Sequence, residues 1–373
     1  MKWMFWIAAA AIGYAYIGYV AWLWVRSHWA PRPVRRGAIE PTVSAVMVVR
    51  NEEAVLARKI ENLLTLDYPA EKMEIVVVSD GSTDGTGTIL HEFAAKAGVR
   101  SLLKSESQGK ALGLNDAIKM ASGEILLLTD ARQSIEPAAL RLLVENFSDP
   151  AVGCASGQLM LGDPAQGETG KGMGLYWRIE KKIREMESAS GSVAGATGAI
   201  YCARRELLDS LPAGIILDDV LLPMQVVCKG ARVIFDSRAR AWDSPDLGGA
   251  REFSRKVRTL SGNYQLLQLA PWLLSSRNPI RFEFVSHKLS RLVAPFALVA
   301  LLVASLFLPQ PGYRAALIAQ LAFYALAVVA IVDVKIGPLS RIADPARTFV
   351  VLNSAALVAF VNFVTGRKAV WVR

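Results

Sequence analysis

Cysteine is scarce in this chain, and its scarcity excludes two common ways of holding a fold together. Three cysteines, Cys154, Cys202 and Cys228, occur among 373 residues. They lie far apart, and no Cys-x-x-Cys pair is present, so the sequence predicts neither a zinc site nor a disulfide framework. Such sparse use of cysteine suits a reducing compartment.

Charge is missing from four long stretches of the sequence. Residues 3–25 form a run of 23 without a charged side chain, enough to cross a hydrocarbon core of ~30 Å as a helix. No small-residue cleavage site follows, so we interpret this run as an uncleaved anchor. Three further uncharged runs of 18 residues each are 292–309, 315–332 and 348–365. They predict membrane spans, and the alternative is buried helices of a soluble protein.

The basic residues predict the orientation of these spans. Four arginines lie within residues 26–36, whereas Lys2 alone precedes the first run. Positive charge beside spans stays in the cytoplasm, so we expect a multi-pass protein of the cell inner (plasma) membrane with its middle part in the cytoplasm. The last run contains Asn353 and Asn362, and its crossing would place the basic tail outside. It therefore either crosses or lies in the interface, which leaves two or three C-terminal spans.

The formal net charge of +9 does not indicate a nucleic-acid partner. The basic residues flank the predicted spans and the candidate sites, and they do not form one run with interleaved aromatic residues. An anionic membrane surface and a phosphate-bearing substrate explain this charge more simply. We predict a lipid bilayer as a partner and no nucleic acid.

Apolar strands and amphipathic helices alternate in the first part of the cytoplasmic region. Predicted strands are 42–49, 74–79, 99–103 and 125–129, and predicted helices are 52–65, 86–97 and 110–120. This alternation predicts an α/β fold, with a Rossmann-like, mainly parallel sheet covered by helices. Further on, the pattern predicts strands at 152–160 and 232–235 and helices at 175–187, 219–229 and 254–268.

The sequence contains no internal repeat and no low-complexity segment, so its organisation follows from the runs described above. The predicted parts are an N-terminal anchor (1–26), a basic proline-rich linker (27–41), an α/β domain (42–275), an interfacial segment (276–291) and a C-terminal membrane region (292–373).

Polar clusters follow three of the predicted strands, at 50–53, at 80–85 and at Asp130. In parallel sheets, ligands bind beyond the carboxyl ends of the strands. The octapeptide SDGSTDGT, residues 79–86, also suits an ordinary capped turn, and it is not a phosphate-binding Walker loop. Lys110 opens a predicted helix and could meet a phosphate. Asp130 could hold a hard cation together with substrate phosphates, or it could cap a helix.

Two later motifs add charged candidates. The pair Asp218–Asp219 begins a predicted amphipathic helix; capping would need one of the two, and the other could act as a general base. Arg251, Arg255 and Arg258 lie at helical spacing on one face. Guanidinium groups suit a diphosphate, and the alternative for this face is contact with lipid headgroups.

Taken in order, these motifs resemble those of the membrane-bound, processive-type branch of the family 2 glycosyltransferases. That branch includes hyaluronan, chitin-oligosaccharide, poly-N-acetylglucosamine and cellulose synthases and the ceramide glucosyltransferases. The resemblance extends from about residue 42 to the final spans. It is specific as a set, and the segments are VRNEEAVLARKIENLLTLDYP, SDGSTDGT, GKALGLNDAI, TDARQ, GATGAIYCARRELL, DDVLLP and RKVRT.

The resemblance implies a GT-A fold that binds a nucleotide-diphospho-sugar, usually a uridine one, with a divalent metal, Mg or Mn. Asp80 resembles the acid that contacts the uracil, with the turn of Asn51 and Glu52 beside it. Asp130 resembles the first acid of the Asp-x-Asp metal motif, and Asp219 resembles the catalytic base. The remaining donor-binding candidates are Lys110, Asp218, Arg255 and Arg258.

Two positions depart from the family pattern. Arg132 stands at the third position of Asp-x-Asp, so the metal loses one carboxylate. Thr259 stands where a tryptophan would support a growing sugar chain, which puts processive synthesis in doubt.

We therefore expect an inverting enzyme whose acceptor is a membrane-associated lipid or saccharide. The alternatives are a processive exopolysaccharide synthase, which would need a homo-oligomer or partner subunit, and a non-catalytic membrane subunit that binds nucleotide-sugar or only lipid headgroups.

Overall fold

A computed structural model describes residues 1–162, 175–243, 249–332 and 340–366 of the chain. Its strands are β1 (Val43–Val49), β2 (Met73–Asp80), β3 (Arg100–Lys104), β4 (Ile125–Leu128), β5 (Ser134–Ile135), β6 (Val152–Leu161), β7 (Tyr201–Arg204) and β8 (Arg232–Asp243). The helices before residue 229 are α1 (Lys2–Gly13), α2 (Tyr19–Trp29), α3 (Glu53–Leu64), α4 (Thr86–Ala97), α5 (Lys110–Met120), α6 (Ala139–Val144), α7 (Leu175–Ser190) and α8 (Asp218–Cys228). The later helices are α9 (Gly249–Leu269), α10 (Arg281–Phe284), α11 (Ser290–Phe307), α12 (Pro311–Ile331) and α13 (Ser340–Val364).

The described strands form one sheet in the order β3-β2-β1-β4-β7-β6-β8-β5. The first four of these are parallel to one another, β7 is antiparallel to both of its neighbours, and β6 and β8 are parallel. This confirms the predicted α/β fold. Because β1, β2 and β4 run in the same direction, the residues that follow them meet at one edge of the sheet.

The strands are apolar on both sides because helices cover both faces of the sheet. On one face, Val46 and Leu126 pack with Leu114 of α5. On the other face, the adjacent residues Met47 and Leu127 belong to a cluster with helices α3, α4 and α6. This double burial explains why these strands read as uninterrupted apolar runs in the sequence.

Some elements of the sheet differ from the predicted pattern. The short strands β5 and β7 were not predicted, since they are held by pairing with distant strands and carry little local signal. Strand β8 continues to Asp243, eight residues beyond the predicted end. In that extension Ala239 and Ala241 are buried while Arg238 and Arg240 alternate with them, so the apolar run breaks although the strand does not.

Four described helices are long and apolar enough to cross a membrane: Lys2–Trp29, Arg281–Phe307, Pro311–Ile331 and Ala343–Val364. They contain most of each uncharged run found in the sequence. The second begins at Arg281, so the segment predicted to be interfacial, 276–291, overlaps its first turns. The basic tail, residues 367–373, lies outside the described residues, and the prediction for its side of the membrane stays a prediction.

The apolar helices pack against the α/β body. Val257 and Tyr264 of α9 share a cluster with Ala355 and Ala359 of α13. In addition, Arg26, at the end of the first apolar helix, forms an ion pair with the buried Glu283. The first contact fixes α9 relative to α13, and the ion pair joins the first two apolar helices to each other.

Replacing Gly113 in α5 by alanine should destabilise the fold. A Cβ at Gly113 would lie 2.7 Å from Cγ1 of Val48, a β-branched side chain that has few other rotamers. We expect a loss of about 1–3 kcal/mol in unfolding free energy, the usual cost of overpacking, although alanine is the better helix former.

The matched control is Gly312→Ala in α12, since apart from its chain neighbours and its own helix backbone no described atom lies within 4 Å of that Cβ position. Thermal unfolding of the full chain in detergent would compare the two variants. Equal midpoints for Gly113→Ala and Gly312→Ala would contradict this account of the α5–β1 contact.

Candidate functional site

A cleft of about 320 Å³ lies at the carboxyl edge of the parallel strands. All of the site residues predicted from the sequence line it except Asn51, which lies in the adjoining turn. The predicted residues on its wall are Glu52, Asp80, Lys110, Asp130, Asp218, Asp219, Arg255 and Arg258. The fold therefore brings together residues from six separate segments of the chain.

Asp80, at the end of β2, organises one wall of the cleft. The buried carboxylate accepts hydrogen bonds from Ser107 Oγ at 2.7 Å, Gln108 N at 2.8 Å and Gly109 N at 2.9 Å. The neighbouring Gly81 has φ +64, and a Cβ there would lie 2.4 Å from the Ser107 nitrogen. Only glycine permits this close approach of the two loops.

Two loops of this wall hold each other by reciprocal hydrogen bonds. Asn51, with φ 53, donates its backbone N–H to Ser82 Oγ and accepts from Thr83 N at 2.8 Å. Asp84 accepts from Glu53 N and also from Thr86 N at the start of α4. The octapeptide thus forms a hydrogen-bonded turn beside the cleft, although the N-cap of α4 is Gly85 and no side-chain capping bond is made there.

Lys110 joins two of the predicted acids. Its Nζ lies 2.9 Å from Asp130 Oδ1 and 3.2 Å from Asp218 Oδ2. The carboxylates raise the pKa of this lysine against the opposing effect of its burial, so it stays charged. One ammonium therefore neutralises carboxylates that come from β4 and from α8.

The two acids at the start of α8 do not cap that helix. Leu217 is the N-cap residue and no side chain makes a capping hydrogen bond, while Asp218 and Asp219 occupy the first turn. Asp130 likewise contacts Lys110, and α6 begins after Ala138 without a side-chain cap. In all three cases the capping alternative is wrong.

Asp219 has the properties of a proton acceptor. Burial and the nearby Asp218 raise the pKa of its carboxyl to about 6, against the opposing effect of Lys110 and Lys288. A Cβ at Gly198 would lie 3.4 Å from Asp219 Oδ2 and 3.6 Å from Asp130 Oδ2. The glycine therefore leaves open the space that the two carboxylates face.

Helix α9 supplies the cationic wall. Burial lowers the pKa of Arg258, and Asp218, Asp130 and Asp219 oppose this effect, which places the guanidinium among the three acids. Arg255 and Thr259 also line the cleft, so a threonine occupies the position expected for a tryptophan platform, and its hydroxyl donates to the Arg255 carbonyl. The side chain of Arg251 lies outside the described residues.

Arg132, the departure from the Asp-x-Asp pattern, also lines the cleft. Burial raises the pKa of Glu52, and the charge of Arg132 opposes that rise. An arginine here gives the cleft a cation where the family pattern has a carboxylate.

Sequence reasoning missed Lys59, a buried lysine behind Asp130. Its Nζ donates to Thr129 Oγ1 at 2.9 Å and to the Gln133 carbonyl at 2.7 Å, and burial lowers its pKa to about 7. It thereby fixes the turn that carries Asp130 and Arg132. A signal existed, because Lys59 lies beside Ile60 on the apolar face of α3, where a charge is unusual.

Comparison with known sequences identifies the type of domain. Residues 44–211 match the description "Glycosyl transferase family 2". The chain contains a family 2 glycosyltransferase domain. Among curated relatives, the beta-monoglucosyldiacylglycerol synthase of Nostoc sp. is 29% identical over 173 residues, which cover 46% of this chain and 37% of that protein. The poly-beta-1,6-N-acetyl-D-glucosamine synthase of Staphylococcus epidermidis is 24% identical over 62% of this chain and 56% of that protein.

The chain thus spans between about a third and about a half of the length of these relatives. Among solved structures, the mannosyltransferase PcManGT from Pyrobaculum calidifontis, in complex with GDP-Man and Mn2+, matches with a TM-score of 0.73. It is 22% identical, and the match covers 98% of this chain and 100% of that one. This likeness confirms the GT-A fold with apolar helices at both ends.

Proposed function

We propose that this chain is an inverting glycosyltransferase that moves a sugar from a nucleotide-diphospho-sugar to a membrane-associated acceptor. The observation that carries the proposal is the Lys110 contact with Asp130 and Asp218 in the cleft that Asp219 and Arg258 also line. An acidic base beside cations suits the departure of a diphosphate, and the part of the cleft formed by residues 48–198 lies within the family 2 match.

The donor would bind along the wall built on Asp80. Three donors already use three of the roughly four lone-pair directions of that carboxylate, which leaves one for an N–H of a base such as uracil. Arg255, Arg258 and Lys110 would contact the diphosphate, where charge-assisted hydrogen bonds are strong. Asn51 and Glu52 would shape the turn beside the base.

The reaction is a single displacement at the anomeric carbon. The carboxylate of Asp219 takes the proton of an acceptor hydroxyl, whose oxygen forms the new bond to the anomeric carbon. The bond from that carbon to the diphosphate oxygen breaks, and the nucleoside diphosphate leaves with the electron pair. Arg258 and Lys110 offset the negative charge that accumulates on the leaving group.

The residues present fit a divalent metal, Mg or Mn, held mainly by the donor. No cluster of three possible ligand side chains occurs among the described residues, and Asp130 offers a partly exposed carboxylate in the cleft. Mg²⁺ commonly uses one or two carboxylates together with substrate phosphates and water. When bound, such an ion would neutralise charge on the diphosphate, with Asp130 as its protein ligand.

We propose that the acceptor is a lipid that receives one sugar. Thr259 gives no aromatic platform for a growing chain, and four apolar helices would form a sparse channel for a polymer. A processive synthase that works with further subunits is the second candidate, and the polymer synthase named among the relatives favours it. A non-catalytic nucleotide-sugar-binding subunit is the third.

We further propose that the chain lies in the inner (plasma) membrane with the cleft in the cytoplasm, since four arginines lie within residues 26–36 beside the first apolar helix. We also propose the domain bounds given by the sequence, with the catalytic residues within 42–275. Homo-oligomers or partner subunits are proposed only for the processive alternative.

Removal of the base tests the proposal. Membranes containing Asp219→Asn should transfer label from a nucleotide-sugar about 10² to 10⁴ times more slowly than those with the native chain, while nucleotide affinity persists. Sizing the product by chromatography distinguishes a glycolipid from a polymer. The control is Asp209→Asn, whose exposed carboxylate pairs with Lys229. Near-native turnover by Asp219→Asn would show that Asp219 is not the catalytic base.

The pH profile of kcat/KM gives an independent check. The pKa of Asp219 in the folded chain is raised from 3.8 to about 6, so the active carboxylate is lost as pH falls through about 6. Over the same pH range the bound proton makes the folded state more stable, so stability rises while activity falls. Asp218→Asn should move the acidic limb to lower pH, because Asp218 raises this pKa. An unchanged limb would argue against Asp219 as the titrating group.

Metal dependence tests the role of Asp130. Chelation should reduce turnover, and Arg132→Asp should tighten Mn²⁺ binding, since it restores a carboxylate at the third position of the motif. Paramagnetic Mn²⁺ titration in the presence of nucleoside diphosphate would measure this binding. Turnover that resists chelation would indicate that Arg132 has taken over the function of the ion.

A further inference from the structure

The loop 195–198, with the sequence Gly-Ala-Thr-Gly, lies directly against the start of α8. The backbone N–H of Ala196 donates to the Asp219 carbonyl at 2.7 Å. Gly195 has φ +124, and a Cβ there would lie 3.2 Å from Cγ2 of Val220 and 3.5 Å from the Asp219 carbonyl oxygen. The loop therefore contacts the backbone of the proposed base and the residue that follows it.

The last residue of this loop, Gly198, borders the carboxylate of the same base. A Cβ at Gly198 would lie 3.4 Å from Oδ2 of Asp219 and 3.7 Å from its Cβ. Ala196 bonds the backbone of Asp219 while Gly198 borders its side chain, so the loop meets this residue at both ends. A displacement of the loop would move the base or change the space around its carboxylate.

Thr197 is the residue through which two other elements hold the loop. Its backbone N–H donates to Ser156 Oγ of β6 at 2.9 Å. Its hydroxyl oxygen accepts from the guanidinium of Arg184, on α7, at 2.7 Å. A hydrogen bond from a charged donor is roughly twice as strong as a neutral one. The contact with Arg184 is therefore the stronger of the two.

Arg184 is itself held in place by a buried carboxylate. Its Nε lies 3.4 Å from Oε1 of Glu180, which also accepts from His287 at 3.1 Å. The other oxygen of Glu180 lies 2.8 Å from Arg291. Although burial would raise the pKa of Glu180, Arg291 and His287 hold it well below its usual range, so the carboxylate stays ionised. Both partners belong to the apolar helix Arg281–Phe307, and Arg184 thus joins the loop to that helix.

We propose that Arg184 is a positioning residue for the reaction: through Thr197 it holds the loop 195–198 against α8, and the loop holds Asp219 where it can take the proton of the acceptor. This inference rests on the proposed function. Among the described residues Arg184 does not line the cleft, so its effect would pass through the loop. A general base must lie within hydrogen-bond reach of the proton that it removes, and a misplacement of about 1 Å can cost about 100-fold in rate.

Hydrogen–deuterium exchange of the full chain in detergent tests the contact without turnover. Thr197→Val removes the acceptor of the Arg184 bond but keeps a β-branched side chain and the backbone N–H. We expect the amides of residues 195–198 to exchange about tenfold or more faster in this variant than in the native chain. Thr197→Ser keeps the hydroxyl and should exchange as the native chain does. Equal exchange in the native chain and in Thr197→Val would overturn the inference.

Turnover measures what the contact does for the base. The probes are uridine diphosphate glucose, uridine diphosphate N-acetylglucosamine and guanosine diphosphate mannose, each labelled in the sugar, with native membranes as the source of acceptor. With the donor that the native chain uses, Thr197→Val should lower kcat about 10- to 100-fold. The affinity for the corresponding nucleoside diphosphate should not change, because the loop packs against α8 and the proposed site for the base of the donor is the wall built on Asp80. Thr197→Ser should turn over close to the native rate.

Double variants show whether the contact acts through the base. In Asp219→Asn the carboxylate is already missing, so adding Thr197→Val should slow the residual transfer by less than about twofold. A further tenfold loss there would assign the loop to another part of the reaction and overturn the inference. Likewise, Arg184→Gln/Thr197→Val should be no slower than Arg184→Gln alone, since both substitutions remove the same contact. Additive losses in that pair would show that Arg184 does not act through Thr197.

The matched control is Thr42→Val, the same substitution directly before β1, at the end of the sheet away from the cleft. Thr42 Oγ1 accepts from Glu124 N at 3.1 Å, so this variant also loses a hydrogen bond. It should leave kcat and the exchange of residues 195–198 at native values, and equal slowing in both valine variants would overturn the inference. A slow Asp219→Asn with native turnover by Thr197→Val would overturn this inference alone. A fast Asp219→Asn would overturn the proposed base as well.

Discussion

The contact of one ammonium with two carboxylates holds the cleft together. Asp130 and Asp218 come from segments far apart in the sequence, and without a cation between them their charges would repel and one would keep its proton. Lys110 prevents this at distances of 2.9 and 3.2 Å. The position of Lys110 depends in turn on Asp80, which fixes the loop 107–109 directly before α5. A carboxylate at the end of β2 thus determines the geometry at the end of β4.

The parallel sheet makes this arrangement possible. Strands β1, β2 and β4 all end at the cleft, and glycines allow the close approach that the loops and helices need there. Lys59 stabilises the turn after β4 from behind, through two hydrogen bonds that leave its ammonium inside the fold. The site is therefore fixed from both the cleft side and the core side, which favours a preorganised geometry over one formed on binding.

Local sequence predicted much of this structure. The bounds of α4 and α5 agree with the predicted helices, because each has an amphipathic pattern and a glycine before it. Asp80 and Asp130 were placed correctly at strand ends. The sequence did not reveal β7, whose pairing partners are distant, or the burial of Lys59. Those features depend on which helix packs behind which turn, and no short pattern contains that information. The roles assigned to the cleft residues stay predictions.

Asp219 lies between two cations of different origin, and this determines how strong a base it is. Lys110 belongs to the sheet side of the cleft and Lys288 to an apolar helix, and each lowers the pKa that burial and Asp218 raise. An anion bound beside either lysine would offset that lysine's effect, so the basicity of Asp219 would increase with occupancy. A diphosphate beside Lys110 would therefore make Asp219 a stronger base once the donor of the proposed reaction is in place.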